Sequence, residues 1–141
     1  MILKENLNEK ITGARDIYNL IVSILATENE VDQKKEHYWV IGTDTKGKVL
    51  YVELVTLGIL DECTVHPREV FRLAIQKACK WMFLVHNHPS GDPEPSRQDE
   101  RNHVRMVGVG DLVGIPVRDE LIIGAGRYYS FLSTMVEEVD Q

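Results

Sequence analysis

The sequence predicts a single α/β domain in which a mixed β-sheet is flanked by helices, and three observations carry that expectation. Short apolar runs rich in β-branched and aromatic residues, such as Tyr38-Trp39-Val40-Ile41 and Trp81-Met82-Phe83-Leu84-Val85, read as buried strands. Other segments repeat their apolar residues at helical spacing. With 141 residues, 43% of them hydrophobic, the chain can bury one sizeable core and needs no second domain.

The elements follow in order. Residues 1–35 read as a helical extension packed on the core, where Ile17, Leu20, Ile21, Ile24 and Leu25 mark one helical face and Thr12 is the candidate N-cap. Asp44-Thr45-Lys46-Gly47 is a turn between strands over 38–43 and 48–56, hence a hairpin. Pro67 suits the first position of a helix whose apolar stripe is Val70, Phe71, Ala74, Ile75 and Ala78. The strand over 81–85 comes next. Pro89, Pro93 and Pro95 stiffen the loop after it, and Gly91 allows a tight turn, so ordering this loop costs less entropy than ordering a flexible one. Ser96-Arg97-Gln98-Asp99 has the S-x-x-D form of a capping box. The helix it opens is expected to turn Val104 and Val107 inward and to stop near Gly114 and Pro116. Strands over 120–123 and 128–131, joined at Gly124-Ala125-Gly126, complete the sheet, and residues 135–141 are left as a tail.

Chemistry concentrates after the fourth of these segments. His86 and His88 stand at the end of an apolar strand, and alternate side chains of an extended chain point the same way, so both imidazoles can converge on one ion while Asn87 points elsewhere. Two histidines and a carboxylate are a known ligand set for a hydrolytic zinc that keeps an open position for water. Asp99 is the best third ligand. Capping and ligation are compatible, because a helix that starts at Ser96 places Asp99 in its first turn, facing the strand end.

The run His86-Asn87-His88-Pro89-Ser90-Gly91, with Ser96 and Asp99 at their spacing, resembles the metal motif of the JAMM (JAB1/MPN) metalloproteases. The match extends further. Glu36-His37-Tyr38-Trp39-Val40, His66-Pro67-Arg68-Glu69-Val70-Phe71 and Leu121-Ile122-Ile123-Gly124 are similar to blocks of the bacterial RadC branch, so the resemblance spans residues 36–134. It implies a JAB1/MPN-type fold with a curved mixed sheet. It also implies Zn²⁺ held by His86, His88 and Asp99, with a bound water whose pKa falls to about 7. By the same likeness Glu36 is the general base and Ser96 donates its hydroxyl to the oxyanion of a tetrahedral intermediate. The substrate implied is a peptide or isopeptide.

Read from its neighbours alone, Glu36 is a solvated charge in the polar run Asp32-Gln33-Lys34-Lys35-Glu36. Glu53 is the rival base, a carboxylate inside an apolar strand on one face with Tyr51 and Val55. The chain also departs from the RadC pattern. Asp119-Glu120 stands where the family usually has Asp-His, and Gly58-Ile59-Leu60-Asp61 replaces a usual Gly-Thr-Leu-Asn; neither change is expected to touch the metal ligands, though both put nearby substrate contacts in doubt. The family's N-terminal helical domain has no counterpart in residues 1–35.

Several classes are excluded or disfavoured. No two histidines lie four apart, which removes the H-E-x-x-H proteases, and no P-C-x-x-C exists, which removes the nucleic-acid deaminases. Three adjacent letters, His86-Asn87-His88, do not make an HNH nuclease, whose residues are spread along a ββα unit. Lys and Arg total 16 against 22 Asp and Glu, and a net charge of −6 does not favour attraction to DNA phosphates. Arg97, Arg101 and Arg105 recur at helical spacing, but acidic residues are interleaved with them, so they read as a solvated face. A metal-binding module that serves DNA repair or recombination without cleavage is the second reading. No apolar segment is long enough to span a bilayer and no secretory signal is visible, so the expected setting is the cytoplasm. Cys63 and Cys79 lack zinc-finger spacing and are expected as reduced thiols.

Overall fold

The computed structural model describes residues 1–59 and 65–139. Seven strands, β1 (Ile2–Glu5), β2 (His37–Thr43), β3 (Val49–Leu57), β4 (Trp81–Asn87), β5 (Val117–Ile123), β6 (Arg127–Ser130) and β7 (Met135–Glu138), form one open sheet in the order β1-β3-β2-β4-β5-β6-β7. Among the described residues four helices accompany them: α1 (Ala14–Leu25), the short α2 (Glu30–Gln33), α3 (Pro67–Gln76) and α4 (Arg97–Val113). Only β4 and β5 pair in parallel, and α4 makes the crossover between them that a parallel pair requires. The result is the α/β class expected, a mixed sheet flanked by helices.

The two faces of the sheet bury different sets of side chains. Ile17, Leu20, Ile21 and Ile24 of α1 pack on Trp39, Ile41, Phe83, Val85, Leu121 and Ile123. The opposite face carries Tyr38, Val40, Met82 and Leu84 beneath Val70, Phe71 and Ala74 of α3 and Met106 of α4. Odd and even positions of β2 and β4 thus serve separate cores, which is why both strands read as unbroken apolar runs. At Gly42 a Cβ would stand 2.2 Å from the Tyr51 ring, so only glycine lets β3 lie this close with its tyrosine inward.

Some local expectations give way to tertiary forces. Thr12 does not cap α1; Gly13 holds that position, and the Thr12 hydroxyl instead donates to Asp16 at 2.6 Å. In α3 the buried face is Val70, Phe71, Leu73 and Ala74, while Ile75 is exposed and Ala78 lies beyond the helix at φ 49°. In α4 the inward residues are Asn102, Met106 and Gly110, and Val104 is 71% exposed. That rotation follows from Asp99, whose anchored position at the first turn puts 102, 106 and 110 on the same side at i+3, i+7 and i+11. Gly114, at φ 77°, ends α4 as expected. Residues 2–5, within the segment read as helical, form an edge strand on β3, and residues 135–138 of the supposed tail pair with β6. Both are short and mainly exposed, with two apolar and two charged residues each, so their strand state comes from the neighbour rather than from their own pattern.

Candidate metal centre

The site forms where the C-terminal end of β4 meets the start of β2 and the N-terminus of α4. His86 is the penultimate residue of β4 and His88 follows its end, with its backbone N–H bonded to the Ile123 carbonyl at 2.9 Å. Alternation carries both rings to the α4 side. Asp99 arrives from α4 through the expected capping box: Ser96 Oγ accepts from the Asp99 N–H at 3.1 Å, and Asp99 Oδ2 accepts from the Ser96 N–H at 2.8 Å. His86 Nε2 lies 3.3 Å from Asp99 Oδ1 and His88 Nε2 lies 3.1 Å from Asp99 Oδ2. One ligand atom from each of the three residues falls within 4.8 Å of the others.

The donor set fits a divalent ion. His86 is 2% exposed, and neither of its ring nitrogens makes a hydrogen bond of acceptable geometry in the structure. A buried imidazole left this way carries a desolvation cost that a coordinated cation removes. His88 is oriented for the same task, because its Nδ1–H donates to the Asp92 carbonyl at 2.8 Å and its Nε2 faces Asp99 Oδ2 at 3.1 Å. Tyr38 stacks parallel to the His86 ring, with centroids 6.0 Å apart.

Electrostatics around the triad are strong. Burial opposes the charged form of His86, but the carboxylates of Asp99 and Glu120 outweigh it and raise its pKa to about 9. Burial likewise pushes the Asp99 carboxyl up, yet His86, His88 and the Ser96 N–H hold it well below the usual carboxylate range. Without an ion, the proton on His86 thus balances the carboxylates that flank it.

Glu36 stands immediately before β2 and lines one cleft together with His88, Ser96 and Asp99. Its backbone is pinned from both sides by a residue that the sequence pattern left without a task. Asn87 Oδ1 accepts from the His37 N–H at 2.6 Å, and Asn87 Nδ2 donates to the Lys35 carbonyl at 3.0 Å, so the amide brackets Glu36. His37 adds a strut, with Nδ1 2.8 Å from the Lys35 carbonyl and Nε2 2.8 Å from a Glu28 oxygen. A buried amide between two histidines was the signal available in the sequence, since nothing apolar in its surroundings would hold it without hydrogen bonds.

Glu53 is elsewhere. It is buried in β3 near Arg72 of α3, 3.5 Å away, and burial raises its pKa. It does not line the cleft of the triad. Ser96 does, and its hydroxyl accepts from Asp99 while its own proton remains available to donate.

One expectation is overturned. The departure at Asp119-Glu120 reaches the ligands: Glu120 Oε2 lies 3.3 Å from His86 Nδ1, and Glu120 Oε1 accepts from His103 Nδ1 at 2.9 Å. The reason is the parallel pairing of β4 and β5, which sets His86 beside Ile122 and brings the same-face residue Glu120 under the imidazole. Cys79 is buried and free, whereas Cys63 and the segment 60–61 lie outside the described residues. Among the described residues no helix is long and apolar enough to cross a membrane.

A family model described as a RadC-like JAB domain matches residues 11–136. A UPF0758 protein of Caldanaerobacter subterraneus subsp. tengcongensis is 39% identical over 139 residues, covering 93% of this chain and 58% of that protein. Another, from Methanosarcina barkeri, is 41% identical over 126 residues, covering 89% of this chain and 53% of its own length. A third, from Desulforudis audaxviator, is 47% identical over 96 residues, or 68% of this chain and 42% of that protein. The chain therefore spans about half the length of the curated relatives it matches.

Proposed function

The chain belongs to the RadC-like JAB domain family, and from that premise we propose that it is a zinc-dependent hydrolase of the JAMM class, a peptidase or isopeptidase. One observation carries the reading: Glu36 and Ser96 line the same cleft as His88 and Asp99 of the His86, His88, Asp99 cluster. Ligands alone describe a metal store, whereas ligands beside a carboxylate and a hydroxyl describe chemistry.

His86, His88 and Asp99 would hold the ion. When bound, zinc supplies a Lewis acid that polarises a carbonyl and activates water near neutral pH. Glu36 takes the proton from the attacking water and returns it to the leaving amine. Asn87 keeps that carboxylate in place by fixing the backbone on either side of it. The Ser96 hydroxyl donates to the oxygen that gains charge as the carbonyl becomes tetrahedral, an interaction that strengthens only in the transition state. The cleft continues past Glu36 and Pro89 toward Lys34, Lys35 and Gly58, which gives an extended segment of substrate a course across the site.

The deciding experiment pairs zinc analysis with a screen of peptide and isopeptide substrates, using the parent and Glu36→Gln. The expected result is zinc retained in both proteins and cleavage by the parent alone, with the variant reduced at least about 100-fold. Equal turnover in the two would remove Glu36 from the reaction. Zinc retained undiminished in Asp99→Asn would remove Asp99 from the ligand set.

A further inference from the structure

Beneath the triad lies a second group of residues that the reaction above does not use. Glu120 is 1% exposed and sits between two imidazoles, with one oxygen accepting from His103 Nδ1 at 2.9 Å and the other 3.3 Å from His86 Nδ1. His103 is in turn stacked on Phe131, with centroids 4.1 Å apart and planes 15° from parallel. The carboxylate is therefore held by His103, brought within reach of His86 Nδ1, and shielded from water that would compete for it.

We propose that Glu120 is a positioning residue for the metal centre: it takes the Nδ1–H of His86, fixes the tautomer that presents Nε2 to the ion, and is itself held by His103. The inference rests on the metal reading of His86, His88 and Asp99. His88 shows the same device with a different acceptor, the Asp92 carbonyl, so each histidine has its far nitrogen directed at an oxygen while its near nitrogen faces Asp99. The two acceptors differ in charge. A neutral carbonyl only orients its ring, whereas an ionised, buried carboxylate also raises the basicity of the imidazole it accepts from. Charge supports the assignment too: a divalent cation is balanced within the buried cluster by Asp99 and Glu120 together, so neither carboxylate is left uncompensated.

The test measures zinc dissociation constants by chelator competition at pH 9 or just above, where a proton on His86 hardly competes, for the parent, Glu120→Gln, Glu120→Leu and His103→Gln. Glu120→Gln keeps an acceptor oxygen and loses the charge, whereas Glu120→Leu loses both, so affinity is expected to fall in the order parent, Gln, Leu. The full loss is about 10- to 100-fold, and His103→Gln falls nearer the parent. Nitrogen NMR of the zinc-loaded parent supplies a readout that needs no variant: His86 is expected to carry its proton on Nδ1. A residue with a merely structural role would lower the melting temperature and leave the zinc constant of the folded fraction unchanged. Equal zinc affinity in the folded parent and Glu120 variants, or a His86 protonated on Nε2 in the loaded parent, overturns this proposal while leaving the hydrolase reading intact. A parent that binds no zinc overturns both.

Discussion

Zinc should bind this protein in exchange for a proton, and the exchange has a calculable size. In the metal-free protein His86 is buried between Asp99 and Glu120 and has a pKa of about 9, so at pH 7 only roughly one molecule in a hundred offers a free imidazole there. Removing that proton costs about 3 kcal/mol at pH 7, at about 1.4 kcal/mol per pH unit. Apparent zinc affinity should therefore rise about tenfold per unit from pH 7 and flatten near pH 9. Chelator-buffered zinc titrations at several pH values give the slope. Calorimetry in two buffers of different ionisation enthalpy gives the number of protons released, and His86 should account for about one at pH 7. An affinity that stays flat from pH 7 to 8.5, or a proton release near zero, would refute the reasoning, because it would mean that His86 is already neutral before the ion arrives.

The same shifts predict how the metal-free protein responds to pH. A raised histidine stabilises the fold fully below its unfolded pKa of about 6.5 and loses that contribution as pH climbs toward 9, while the lowered Asp99 and Glu120 contribute above their unfolded values of about 4 and lose it as pH falls. Melting temperature without metal should thus peak between about pH 4.5 and 6.5 and decline toward pH 9, and saturating zinc should reverse the decline; a metal-free melt that rises from pH 6.5 to 9 contradicts this. Asn87→Ala leaves the buried His37 N–H without its partner, while the Lys35 carbonyl keeps His37 Nδ1, so the change is expected to cost about 1–3 kcal/mol in denaturant unfolding. Zinc affinity should survive that change and turnover should fall more than binding, since the bracket acts on Glu36. Ser96→Ala removes an N-cap worth about 1 kcal/mol, and turnover is expected to drop about 100-fold with zinc content unchanged; a loss in stability alone would reduce Ser96 to a cap.

Much of this architecture is written in local pattern. The hairpin at Asp44 to Gly47, the proline-opened α3, the apolar β4 and the capping box at Ser96 all depend on residues within a few positions of one another, so their sequence signals carry through. The metal triad is nearly as local, with two ligands at the end of one strand and the third, Asp99, 11 residues after His88 in the first turn of α4. What escaped the pattern is set by partners far along the chain. Val104 faces solvent because Asp99 fixes the rotation of α4, and the short, exposed β1 and β7 are strands because β3 and β6 offer them open edges. Glu120 reads as a charge in a short apolar run until parallel pairing sets β5 beside β4 and brings it under His86. Asn87 is opaque for the same reason, since its two partners lie 50 and 52 residues earlier.

The antiparallel pairing of β2 with β4 also bears on the order in which the chain folds. The β2–β3 hairpin can form within itself, but the bracket around Glu36 spans 50 residues and requires β4 to find β2 after α3 has been made. The ion's ligands need only α4 packed back on β4, because His86 and His88 meet Asp99 across that contact, so ion capture is expected to follow the docking of α4 and not to depend on the bracket. Cobalt added during refolding should acquire its ligand-field absorption later than helix signals recover, and so report the docking of α4 on β4 as it happens; a cobalt signal that precedes them would place a preformed site in the unfolded ensemble.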